Sequence, residues 1–235
     1  MKPRIWPIIL CAVLGIAILC ALGAWQLFRL AEKRQLLASI AERIAADPVS
    51  LDEVLARRDK GEDTEFVKVK ITGMFDHASE LQKLTTFDGN PGWQIITPFT
   101  TDAGAVALVD RGVVPDDLRS HAKRSESQQR TELTAIVRGH AAERGFFDPD
   151  NDVESRVWYW WDVPAMLAAT SIPPGSKVAP FILQALPGDD AKAFPRASPP
   201  QATLRNNHLQ YAITWFSLAL VLLVIAGLFI RKQVR

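Results

Sequence analysis

Apolar residues crowd the two ends of this chain, and charge is confined between them. Residues 5–28 and 209–230 carry no charged side chain. A helix rises about 1.5 Å per residue, and a hydrocarbon core of about 30 Å needs about 20 residues, so each stretch is long enough to span. A helix also satisfies its own backbone hydrogen bonds, as lipid demands. A cleaved signal would carry a shorter apolar run of about 7–15 residues. A buried core helix is a poor reading of residues 209–230, which are apolar all round. Both stretches are therefore expected to be transmembrane helices.

Between them the period changes. Leu30, Leu37, Ile40 and Ile44 recur at helical spacing, so residues 30–46 predict a juxtamembrane helix continuing the first span. Asp47-Pro48 ends it, since the residue before proline avoids helical angles. Ser50 and Glu53 read as the capping box of a short second helix. Val67, Val69 and Ile71 then alternate with Lys68, Lys70 and Thr72, the period of a half-buried strand. Gly73 marks a bulge or a close backbone approach. Residues 80–86 are expected to pair back on that strand. Residues 93–99 and 105–109 form a hairpin across 101–104. Residues 133–139, 156–161 and 178–185 are further strands, with Pro180 placing the last at an edge or strand entry. Asp162 caps a short helix over 163–169, with Pro164 in its first turn. Residues 120–130 read as an exposed charged loop, and 187–200 as a Pro- and Ala-rich linker. The fold class is α+β: two transmembrane helices flank a strand-rich antiparallel domain, residues 29–207, outside the cytoplasm.

Charge sharpens this picture only locally. The chain has 235 residues and a formal net charge of +1, so no global field favours nucleic acid. Lys2, Arg4, Arg231, Lys232 and Arg235 flank the outer ends of the spans, against Arg29, Lys33, Arg34 and Arg205 on the loop side. Short tails weigh more than a long loop in setting orientation, which places both termini in the cytoplasm. Cys11 and Cys20 both lie in the first span, so the domain contains no disulfide and no thiolate metal site. No Arg- and Ser-rich transit peptide precedes the first span, which favours a bacterial membrane.

Soluble-enzyme signatures such as GxSxG, a P-loop, GxGxxG and HExxH are absent from the sequence. His77, His121 and His140 stand in turn-like or charged contexts and read as surface histidines. His208 differs, because it stands where the second apolar stretch begins, and an ionisable residue there is a functional candidate. On a helix His208, Tyr211 and Trp215 share a face. Neutral imidazole ligates haem iron, and aromatic neighbours suit a porphyrin. An interfacial belt of amphipathic side chains accounts for the same residues, and both readings stay open. At the first span's exit, Trp25, Gln26 and Arg29 bring an aromatic, an amide and a cation to the same boundary. Ala17 and Ala21, four apart, would let the two helices approach closely.

The chain resembles the surfeit-locus-one family of cytochrome c oxidase assembly factors. The resemblance is carried in order by Leu22-Gly23-Ala24-Trp25-Gln26-Leu27 with Arg29 and Lys33, by Val69-Lys70-Ile71-Thr72-Gly73-Met74-Phe75, and by Gly92-Trp93 leading into Thr97-Pro98-Phe99. It continues with Leu108-Val109-Asp110-Arg111-Gly112-Val113-Val114-Pro115, and ends with Asn206-Asn207-His208-Leu209-Gln210-Tyr211-Ala212-Ile213-Thr214-Trp215-Phe216. Asp110 stands where the family commonly has Asn, and Val113 where it commonly has Trp. The resemblance implies a non-enzymatic factor that binds haem a and assists its insertion into oxidase subunit I. His208 is then the axial metal ligand, Trp25, Tyr211 and Trp215 line the porphyrin, and Arg29, Arg111 and Arg205 meet its propionates. Subunit I, haem a synthase and the lipid bilayer are the expected partners. The location is the bacterial inner membrane, with the central domain periplasmic. One rival is a scaffold that stabilises subunit I without holding haem. Another is a membrane-bound sensor, against which the short cytoplasmic tails count.

Overall fold

The computed structural model describes residues 6–120, 124, 129–139, 144–188, 193–198 and 206–234. These fall into two compact units: a helix pair, and a strand-rich unit that begins at Glu42.

In the helix pair, α1 (Trp6–Ala45) is one unbroken helix and α4 (His208–Val234) is the second. Both are long and apolar enough to cross a membrane. At 1.5 Å per residue α1 is about 60 Å long, twice the thickness of a bilayer core. The helices run antiparallel, with Gly15 meeting Leu222 and Gly23 meeting Phe216. A Cβ at Gly23 would stand 2.7 Å from Phe216 Cζ, so the absent side chain is what lets the Phe216 ring sit against the α1 backbone. Ala212 and Ala219 are buried on α4. Ala17 and Ala21, expected in this role, are exposed instead. Glycine and alanine both permit close packing, and the rings of the facing helix decide which is used.

The strand-rich unit contains β1 (Lys68–Phe75), β2 (Leu81–Phe87), β3 (Asn90–Thr101), β4 (Ala105–Pro115), β5 (Thr131–Arg138), β6 (Val157–Trp158) and β7 (Lys177–Ala185), with α2 (Leu51–Asp59) and α3 (Val163–Ala168). The order is β1-β5-β7-β4-β3-β2-β6, and β1 also pairs with β3. That extra pairing closes β1, β5, β7, β4 and β3 into a five-stranded barrel. Closure leaves those strands no open edge. Pairings are antiparallel except β4–β7 and β2–β6.

Alternation explains the layers. Val69 and Ile71 of β1 point inward with Phe99, Ala107, Val109, Val137, Phe181 and Leu183, joined by Leu51, Val54 and Leu55 from α2. Lys70 points out and pairs with Glu132 at 2.8 Å. Strand β4 is buried on both faces, because Leu108 packs outside the barrel with Val163 and Met166 of α3 and with Trp158. Ser50 accepts from the Glu53 amide at 3.2 Å, and Asp162 from the Ala165 amide at 3.1 Å, so both predicted caps form. Gly73 makes the predicted close approach: a Cβ there would lie 2.0 Å from the Thr100 carbonyl oxygen.

Other expectations change. Strand β2 pairs with β3 and β6 rather than β1. Pro180 lies not at an edge but inside β7, between β4 and β5, where the β4–β7 register shifts. The irregularity spares a position without an N–H from the ladder. The region 156–161 gives only the two-residue β6. The linker is partly docked, since Arg196 and Val113 exchange backbone hydrogen bonds of 2.9 Å. Gly112, at φ +114°, lets that segment pass, as a Cβ would lie 2.2 Å from the Arg196 carbonyl oxygen.

Candidate functional site

His208 is the first residue of α4, so the chain enters the helix at the candidate ligand itself. Across the seam, His208 Nδ1 lies 2.7 Å from Gln26 Oε1. A carbonyl oxygen only accepts, so the imidazole donates from Nδ1, and the neutral ring in that form carries its lone pair on Nε2. That is the form of histidine that binds a metal. Gln26 is buried and His208 half-buried. Two residues before His208, the buried Asn206 Oδ1 has no partner among the described residues.

The surrounding candidates divide. Trp215 is half-buried on the packed side of α4, two turns from His208. Trp25 and Tyr211 are 54% and 53% exposed, so their rings flank the seam rather than fill it. Arg29 is exposed and pairs with Glu32 at 2.7 Å, one turn along α1. Such an exposed pair is weak and exchangeable, leaving the guanidinium open to a competing carboxylate. Arg205 lies outside the described residues. Arg111 belongs to the barrel unit, where it is the extra residue of a bulge: Gly112 faces Ile95 and Asp110 faces Ile96. Its Nη1 donates to His77 Nδ1 at 3.2 Å, and its guanidinium lies 4.9 Å from the Phe75 ring centre. His77 is only 5% exposed, contrary to the surface reading, while His121 and His140 lie outside the described residues.

Sequence reading named Gln26 as an amide at the boundary but not as the partner of His208. The signal was present: it is the one side-chain amide in residues 5–28. A buried amide costs free energy unless bonded, so a lone one in an apolar helix implies a partner.

Among the described residues no three His, Cys, Asp or Glu gather as ligands for a bare ion. A metal that arrives in its own macrocycle needs only axial ligands from protein. One imidazole whose Nε2 has no partner among the described residues, beside exposed aromatic rings, fits that requirement. A separate apolar groove of about 370 Å³, bordered by Ile8, Cys11, Leu222, Phe229 and Ile230, lies toward the other end of the helix pair.

Charge in the barrel unit is handled differently. Asp110 is buried, accepting from the Gly112 amide at 2.9 Å and from Gln94 Nε2 at 2.5 Å. Burial pushes its carboxyl up to about 6, outweighing those bonds and the nearby charges of Lys83 and Arg138. Burial in turn lowers the Lys83 ammonium, against the pull of Asp110 and Asp148. Glu80 and Arg124 form a buried ion pair, with Arg124 Nη2 2.6 Å from both carboxylate oxygens. Arg124, predicted in an exposed loop, is thus a buried anchor whose Nη1 also bonds the carbonyls of Leu118 and Arg119.

Two helices long and apolar enough to cross a membrane flank a small barrel in the sequence, and the first residue of the second helix is a histidine bonded to a buried amide. The chain belongs to the SURF1 family, whose pattern matches residues 13–220. It is 33% identical over 231 residues to a SURF1-like protein of Monosiga brevicollis, covering 90% of this chain and 83% of that one. It is 32% identical over 216 residues to surfeit locus protein 1 of Homo sapiens, covering 84% and 69%. A SURF1-like protein of Rickettsia felis is 27% identical over 231 residues, covering 96% and 97%. The family is one of cytochrome c oxidase assembly factors.

Proposed function

We propose that this chain binds haem a and assists its insertion into subunit I of a haem-copper oxidase, with His208 as an axial ligand. The observation that carries the reading is the His208–Gln26 contact, which leaves an imidazole Nε2 available at the start of an apolar helix. Haem would supply the redox-active iron. His208 would hold the iron through a ring nitrogen, Trp25, Tyr211 and Trp215 would offer ring faces, and Arg29 would offer a cation to a propionate. The apolar tail of haem a is kept from water at the lipid-facing shoulder of the helices. No bond need be broken, so the chain acts by holding and releasing. In this reading both helices cross a bacterial inner membrane, the termini are cytoplasmic and residues 29–207 are periplasmic. Haem a synthase is a natural donor.

The scaffold reading has its own support. Phe146 and Phe147 are 94% and 92% exposed on the barrel unit and stack edge-to-face at 5.0 Å. Water is a poor neighbour for two adjacent rings, and such a patch suits a protein partner.

The test is an optical spectrum. The full chain is produced in cells that make haem a and purified in detergent, as wild type and as His208→Ala. A coloured wild type and a variant with a lost or shifted Soret band are expected. A colourless wild type, or an unchanged variant spectrum, overturns the ligand reading and leaves the scaffold.

A further inference from the structure

We infer that Gln26 is the positioning residue for His208: it selects the ring tautomer, fixes the ring's orientation and tunes the strength of the bond His208 makes to a metal. The inference rests on the haem-binding reading above.

The geometry starts from cost. Gln26 is 9% exposed on a helix otherwise apolar for the length of a membrane span. In such surroundings an amide without partners is strongly disfavoured. Its carbonyl oxygen is met by His208 Nδ1 at 2.7 Å, from the other helix and 182 residues away in sequence. The neighbouring packing makes that reach possible. Gly23, one turn before Gln26, admits the Phe216 ring against the α1 backbone, and buried Ala212 stands one turn after His208. Larger residues at these places would push the helices apart and leave both polar groups unpaired.

The chemistry follows from the donor and acceptor inventory. Free imidazole places its proton on either nitrogen. An acceptor at Nδ1 holds the proton there and points Nε2 away from α1 with its lone pair bare. An acceptor behind a metal-bound imidazole also makes the ring more electron-rich, and removing such a partner typically weakens metal affinity about 10–100-fold. Simple polar adhesion between helices would be served by either end of the amide, its oxygen accepting from a protonated Nδ1 or its NH2 donating to a bare one, and so would select no tautomer. The two roles therefore separate by experiment.

The experiment compares wild type, Gln26→Leu and Gln26→Glu in the full chain in detergent. The first readout needs no haem: nitrogen-15 shifts of His208 in the free protein. Wild type and Gln26→Glu are expected in the Nδ1-protonated form, and Gln26→Leu as a mixture. The second is the ferrous iron–histidine stretch and the haem dissociation constant. Gln26→Leu is expected to lower the frequency and weaken retention about 10–100-fold. Gln26→Glu keeps an acceptor in place and is expected to hold the frequency or raise it. A wild type with its proton on Nε2 overturns the inference. So does a haem-bound series in which Leu and Glu shift the stretch alike, or neither moves it. If Gln26→Leu fails to fold, the wild-type tautomer and the Glu variant's stretch still decide. A wild type that binds no haem refutes the preceding reading, whereas a haem-binding series without these shifts refutes the role of Gln26 alone.

Discussion

Asp110 is a buried acid held in its neutral form longer than the unfolded chain would hold it, and replacing it by asparagine should reveal the cost. Its pKa rises from 3.8 to about 6 on folding, chiefly through burial. Below pH 4 both states carry the proton, and ionisation costs the fold nothing. As pH rises from about 4 to about 6 the unfolded chain releases the proton while the folded chain keeps it, so stability falls. Above about pH 6 the loss is complete. At about 1.4 kcal/mol per pKa unit it comes to roughly 3 kcal/mol. Asp110→Asn removes that ionisation. The new amide oxygen still accepts from Gly112, and its NH2 faces Gln94, whose own amide must turn to present oxygen. One imperfect hydrogen bond costs about 1 kcal/mol, so the net gain near pH 8 is about 2 kcal/mol. Near pH 4 the variant should match wild type or be slightly weaker. The assay is urea unfolding of the full chain in detergent, followed by emission from the buried Trp93 and Trp158. The quantity to plot is variant minus wild type against pH, in which the other carboxylates cancel. A difference that does not grow from pH 4 to pH 8, or a variant less stable near pH 8, refutes the reasoning.

Two further substitutions probe the same physics elsewhere. Arg124→Ala strands Glu80, whose side chain is only 5% exposed, and should cost about 3–5 kcal/mol in urea unfolding. The double variant Glu80→Leu/Arg124→Met should recover much of that loss, and a double variant as weak as the single would show that the charges themselves are needed. Gly23→Val sets side-chain atoms within 3 Å of the Phe216 ring and should break the Gln26–His208 contact, scrambling the His208 tautomer in nitrogen-15 spectra. Phe216→Ala in the same chain should restore it, and no restoration would mean that the seam is set by other residues.

What could be read from the chain was whatever a local period or cap decides. Two long apolar stretches announce two helices, each long and apolar enough to cross a membrane. The alternation of Val69 and Ile71 with Lys70 fixes which face of β1 is wet. Ser50 and Asp162 announce helix starts because their side chains replace missing backbone acceptors. Alternation does not name a partner, however, so β2 could be assigned a face but not the neighbour β3. Pro180 excluded a regular central ladder, but an edge and a bulge satisfy that constraint equally. Arg124 looked solvated because its neighbours in sequence are polar. Its burial depends on Glu80, 44 residues earlier.

The site shows the same limit in sharper form. A histidine beginning an apolar helix is visible in sequence, and so is a single amide in an apolar one, but each alone fits an interfacial belt. What neither residue shows alone is that the two are partners, and that relation is created by helix packing. Gly15 and Gly23 were available to set the seam, and so were Ala17 and Ala21. The choice was made by Leu222 and Phe216 on the other helix. Had the alanines faced α4, α1 would have been turned by roughly half a revolution at about 100° per residue, and Gln26 would have pointed away from α4. The small residues therefore decide more than how closely the helices approach: they decide which polar side chain His208 meets. The steric and chemical parts of the site are consequently one feature, and a substitution at Gly23 should be felt first at the imidazole.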